Sequence, residues 1–124
     1  MTPSDARDHA VESHLPLRPV EFNVLLSLGS GPRHGYGIML DSEARSGSEV
    51  IPEVGTLYRA LKRMVDQELI ERAAAPPKEE DSRRVYYALT ALGRRVASAE
   101  ALRLAGLVEA ARSGGFLGKS EVQP

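Results

Sequence analysis

The chain has 124 residues, 16 Lys and Arg against 17 Asp and Glu, and a formal net charge of -1, so it is sized for one small core with arms left over and shows no overall cationic excess. It contains no Cys, which excludes a disulfide framework and the thiolate zinc modules and points to an intracellular, cytoplasmic protein. No apolar run approaches the roughly 20 residues needed to span a bilayer, and the first residues lack the basic-then-apolar order of a signal peptide.

Residues 1–17 hold Pro3, Pro16 and several charges without a sustained apolar period, and are expected to form a flexible arm. Order is expected from Arg18-Pro19, with Pro19 at the first helical position and Glu21 near the positive helix end. Phe22, Leu25, Leu26 and Gly29 follow at helical spacing and predict an apolar stripe, stopped by Gly29-Ser30-Gly31-Pro32. A second helix opens around His34-Gly35-Tyr36-Gly37 and runs to Ser46-Gly47-Ser48. Its two early glycines are expected to permit close approach of a neighbouring backbone. Pro52 and Glu53 start a third helix, in which Leu57, Leu61 and Met64 line one side with Val65 beside them.

Leu69 to Ala73 reads as a strand, and Val85, Tyr87 and Leu89 alternate with Arg84, Tyr86 and Ala88 on its partner. Pro76 to Ser82 makes a polar hairpin tip. Thr90 is placed as the N-cap of a last helix, with Leu92, Val96, Ala99, Leu102 or Arg103, and Leu107 recurring along it until Ser113-Gly114-Gly115. The tail from there to residue 124 is expected to be mobile.

Three helices followed by a hairpin are the order of a winged helix-turn-helix, mainly α with a small β-hairpin: a DNA-binding domain over residues 18–90, made of a three-helix core plus a two-stranded wing, and a C-terminal dimerisation helix over 91–113. The distribution of charge supports this despite the neutral total. Arg59 to Arg63 holds three cations and no acid, and Arg83 to Arg95 holds four cations and no acid. Thr56, Tyr58, Arg59, Lys62 and Arg63 on the third helix, with Arg83 and Arg84 at the base of the wing, are the expected DNA-binding residues. Tyr58, Tyr86 and Tyr87 serve equally as packing residues, and Tyr87 is assigned to the core. Gly55 is expected to let the backbone approach DNA. Leu92, Val96, Ala99, Leu107 and Val108 are expected to form the dimer interface, being too apolar to leave exposed.

Catalysis finds little support. His9, His14 and His34 have no carboxylate or thiol at metal-ligand spacing, no phosphate-binding glycine loop is present, and His34 reads as a helix cap or an exposed side chain, so no enzyme, metal or cofactor is expected.

His34-Gly35-Tyr36-Gly37-Ile38, the run Gly55 to Met64, Leu69-Ile70 and the run Arg83 to Arg94 occur in an order and spacing that resemble the PadR family of transcriptional regulators, over about residues 18–95. The resemblance implies a homodimeric winged-helix repressor on a near-palindromic promoter operator in double-stranded DNA, of the short form with a single C-terminal dimerisation helix. It also implies release of DNA by a small-molecule effector bound at the dimer interface. Glu79-Glu80-Asp81 at the wing tip departs from the family pattern, so contact is expected through Arg83 and Arg84 rather than the apex. A winged-helix module that binds a protein partner through the same face is the alternative.

Overall fold

In the computed structural model residues 9–77 and 83–118 are described. The elements in chain order are α1 (Pro19–Ser27), β1 (Arg33–His34), α2 (Gly35–Ser46), α3 (Val54–Asp66), β2 (Ile70–Ala73), β3 (Tyr86–Leu89) and α4 (Ala91–Ser113). The expected plan is present: a three-helix core, a small antiparallel sheet and a long C-terminal helix. The wing has a third member, because β1 pairs with β3 on the side away from β2, giving the order β1-β3-β2. Ile70 faces Leu89 and Ala73 faces Tyr86 on one side of β3, while Arg33 faces Tyr87 and His34 faces Tyr86 on the other.

α1 starts as its sequence dictates. Pro19 occupies its first turn, Arg18 is extended, and the Arg18 N–H donates to Glu21 Oε1 at 3.2 Å. Its buried face overlaps the expected one only in part, with Leu25 buried and Phe22 packed against the core as expected. Glu21, Val24, Leu25 and Leu28 point inward, whereas Leu26 is exposed and Gly29 lies outside the core. A nine-residue helix with apolar side chains on most of its circumference has no single phase, and packing chooses one.

α2 is capped by His34, whose Nδ1 accepts from Gly37 N–H at 3.0 Å, and it ends at Gly47, whose φ of 78° is open to glycine. Its angle to α1 is set by Arg45. That guanidinium reaches Asn23 Oδ1 at 3.1 Å, the Asn23 carbonyl at 3.0 Å and Ser27 Oγ at 3.1 Å, and pairs with Asp41 at 2.7 Å. The Arg45 hydrogen bond, then one from Ser27, holds the Asp41 carboxyl below its ordinary range.

Leu57, Leu61 and Met64 of α3 enter the core, as the periodicity predicts, and Ala60 joins them. The helix closes with Glu68 N–H on the Val65 carbonyl and Leu69 N–H on the Met64 carbonyl, both at 3.0 Å. This is the double bond of a left-handed helix stop, here with Glu68 at φ 61° in the place usually held by glycine.

Residues 9–17, expected as part of a loose arm, are packed: Val11 and Leu17 lie in the same core as Val24, Ile38 and Met64. The Leu17 N–H donates at 2.7 Å to Oε2 of Glu100 on α4. Glu100 is 1% exposed, and its other oxygen pairs with Arg103. That bond from Arg103 and the one from Leu17 outweigh burial and hold the Glu100 carboxyl below its ordinary range. Of the expected flexible tail over 114–124, the first residues instead close the last helix, with Gly114 N–H on the Ala110 carbonyl and Phe116 N–H on the Ala111 carbonyl, both at 2.9 Å. Residues 119–124, residues 1–8 of the expected arm and the acidic hairpin apex Glu79-Glu80-Asp81 lie outside the described residues.

α4 begins as expected at Thr90, whose Oγ1 accepts from Gly93 N–H at 2.9 Å. Thr90 Oγ1 also lies within donating reach of the Glu68 carbonyl at 2.6 Å. Gly93 packs against the backbone just ahead of β2, where a Cβ would stand 1.9 Å from the Leu69 carbonyl oxygen. Val96, expected at a subunit interface, is 0% exposed within the single chain and belongs to the domain core, so it is not available to a partner.

Candidate nucleic-acid interface

α3 presents Val54, Gly55, Tyr58, Arg59 and Lys62 to solvent on the arc opposite its buried face. Tyr58 leans toward the start of α2, where its hydroxyl would stand 2.7 Å from a Cβ at Gly35. The glycine therefore makes room for a tyrosine ring, and not for a backbone as expected. Tyr58 thus joins His34, Tyr36, Arg83 and Arg84 around an open cleft of about 390 Å³ between α2, α3 and the wing.

The wing arginines arrive in this cleft because β3 begins at Tyr86, separated from the Arg83-Arg84 pair by Val85 alone. An Arg84 guanidinium nitrogen lies 2.7 Å from His34 Nε2. A neutral imidazole has one acceptor nitrogen, so His34 accepts from Gly37 or from Arg84, and the two donors compete for it. The His34 ring meets Tyr86 edge-on at 5.3 Å and lies parallel to Tyr36 at 6.5 Å. Tyr86 and Tyr87 are both buried; burial raises the Tyr87 hydroxyl above its ordinary pKa, in keeping with its assignment to the core. Val85, by contrast, is exposed although the strand alternation placed it with Tyr87.

The remaining expected contact residues separate. Thr56 is half-buried and its Oγ1 lies 3.4 Å from Arg59 Nη2. Arg63 sits on the opposite flank from Tyr58, with Nε 3.4 Å from Glu21 Oε2 on α1. The structure thus brings Tyr58, Arg83 and Arg84 around one cleft, leaves Arg59 and Lys62 on the exposed arc, and turns Arg63 toward α1. Sequence reasoning missed Tyr36, which is 58% exposed at the cleft, and Val54, which opens α3. An exposed aromatic between two helix-opening glycines was the available signal for Tyr36. Among the described residues no group of acidic or His side chains is arranged to hold a metal ion.

A helix with an exposed cationic arc, set beside a sheet that carries arginines at its edge, defines a winged helix-turn-helix module. Residues 24–99, more than half of the chain, match the Transcriptional regulator PadR-like family, and the chain belongs to that family of DNA-binding transcriptional regulators. It is 38% identical over 84 residues to an uncharacterized 37.1 kDa protein in transposon TN4556 of Streptomyces fradiae; the match covers 68% of this chain but only 22% of that relative's length. The fold is similar to that of a PadR family transcription regulator from Clostridium difficile, with a TM-score of 0.63 and 27% identity over 80% of this chain and 98% of that one. It is also similar to RosR of H. salinarum, with a TM-score of 0.59 and 31% identity over 75% of this chain and 79% of the other.

Proposed function

We propose that the chain is a homodimeric repressor that binds a near-palindromic promoter operator in the cytoplasm. The observation that supports this is the cleft that Tyr58 of α3 shares with Arg83 and Arg84 of the wing, with Arg59 and Lys62 exposed on the same helix. Cations arranged in this way release counterions from the duplex, which accounts for DNA binding by a chain of net charge -1. Thr56 supports the arc by holding Arg59, and Arg63 contacts the duplex backbone from the α1 flank.

Dimerisation is supported by the second half of α4, where Leu102, Leu107 and Val108 are exposed. Leu92 and Ala99, half-buried against the core, contribute their outer edges to that contact. A shallow groove of about 400 Å³ between the N-terminal residues and α4, lined by Val11, Ala99, Leu102 and the two arginines Arg94 and Arg95, supports an effector site at the subunit interface.

Selection of bound duplexes from a random pool, followed by affinity for the winner over a salt series, tests the reading. An inverted repeat with half-sites about 34 Å apart and a steep salt slope is expected. Weak binding without sequence enrichment would sink the repressor reading and favour a protein partner for the same face.

A further inference from the structure

The first turn of α3 holds a glycine where alanine would stabilise the helix better. A Cβ at Gly55 would stand 3.1 Å from Arg59 Nη1 and 3.9 Å from Arg59 Cζ. Helical side chains run back over the preceding turn, and with no methyl at Gly55 the arginine tip lies close over it, toward Thr56, whose Oγ1 lies 3.4 Å from Nη2; a Cβ at Gly55 would push that tip aside. The guanidinium is therefore seated on the first turn, one turn ahead of its own Cα. Beside it in sequence, Val54 opens the helix with a side chain that is 54% exposed. A branched apolar group does nothing there for the helix dipole or for the cap, which an acid or a proline would serve.

The N-terminal residues of a recognition helix are those that meet base edges. In the major groove an isopropyl group has one apolar complement, the 5-methyl of thymine, and a guanidinium has the paired O6 and N7 acceptors of guanine. We propose that the first turn of α3 reads two neighbouring base pairs, with Val54 against the thymine methyl of an A·T pair and Arg59, seated over Gly55, on the guanine of a G·C pair. The inference rests on the DNA-binding reading above and names the chemistry that gives it sequence preference. Gly55 is a positioning residue that acts through Arg59, while Tyr58 and Lys62 flank the pair and hold the backbone.

The test uses the selected operator and the full chain. Each thymine is replaced singly by deoxyuridine, which removes only the methyl, and each guanine by 7-deazaguanine, which removes N7. One thymine should weaken wild-type binding by about fourfold, the value of one buried methyl group. A neighbouring guanine should weaken it by roughly tenfold or more. Val54→Ala should erase the deoxyuridine penalty at that position and leave the guanine penalty. Gly55→Ala should erode the guanine penalty while its melting temperature stays at or above wild type, a combination that a merely structural glycine does not give.

An operator indifferent to every deoxyuridine, a penalty that survives Val54→Ala, or an undiminished guanine penalty in Gly55→Ala would overturn the proposal and leave the DNA-binding reading standing. Wild-type protein that prefers no duplex over random DNA would overturn both.

Discussion

The two halves of α4 carry the same apolar periodicity and meet opposite surroundings. In the first half Gly93, Val96 and Glu100 are buried in the chain's own domain. In the second half Leu102 is 75% and Leu107 56% exposed. One helix therefore does two jobs along its length: its first three turns close the core of the DNA-binding module, and the remainder projects an apolar face beyond it. The lesson concerns what a repeat of leucines and valines can mean. The spacing states that a face is apolar, and the elements packed on it decide which part of that face is spare.

Substitutions that treat the halves differently sharpen the comparison. Gly93→Ala should have the largest effect, because its methyl would enter the Leu69 carbonyl, a backbone atom that cannot step aside. A loss of about 3 kcal/mol or more is expected by denaturant unfolding. Retention of wild-type stability would mean that α4 is not docked on Leu69 in this way.

Glu100→Ala comes next, since it orphans the Leu17 N–H and the Arg103 partner together. It should cost roughly 1.5–3 kcal/mol and loosen residues 9–17 in amide exchange. This loss has a direction in pH. The folded carboxyl is held below its ordinary value, so its contribution is fully present above the unfolded pKa of about 4.3 and fades as pH falls through the lower folded value. Thermal melts of wild type and Glu100→Gln should therefore converge as the solution is acidified below pH of about 4. A gap that widens there would refute a stabilising, ionised Glu100.

Val96→Ala should cost about 1–3 kcal/mol of stability by leaving a cavity in the core, with no effect on association beyond it. Leu107→Glu completes the contrast with the smallest effect on the fold, within about 0.5 kcal/mol when measured on monomer, together with a weakened dimer in sedimentation. If Leu107→Glu unfolded the chain and Val96→Ala altered only association, the division of α4 would be reversed.

The fold was legible wherever one local rule acted alone. Leu57, Leu61 and Met64 entered the core because α3 has polar or charged side chains on its other arc, so its phase has one solution. Pro19 and Thr90 marked helix starts through chemistry confined to one turn. His34 capped α2 for the same reason. The stripe on α1 was right at Phe22 and Leu25 and wrong at Leu26, because Leu26 is as apolar as Val24 and Leu28 and nothing in so short a helix separates them. β1 was missed because its two residues display no period at all.

The candidate interface divides in the same way. Arg59, Lys62 and Tyr58 could be placed on an exposed arc by counting residues along a helix, and the structure leaves them there. The half-turn by which Arg63 faces Glu21 could not, because Glu21 lies 42 residues earlier and reaches α3 only through helix packing. Nor could counting show that Gly55 lies beneath the Arg59 guanidinium.

By itself the sequence determined the kinds of element, their order, the buried face of α3, the cap at Thr90, and the cationic character of the exposed arc and wing base. All of these follow from interactions within a turn or two of chain, whose energies are set by residue type and spacing. The tertiary structure decided which face of α1 is inside, that residues 9–17 join the core, that β1 completes the sheet, and that α4 is buried in its first half only. Each of those depends on contacts between residues far apart in the chain, such as Leu17 with Glu100, where geometry created by the whole fold selects among faces that local chemistry leaves equivalent.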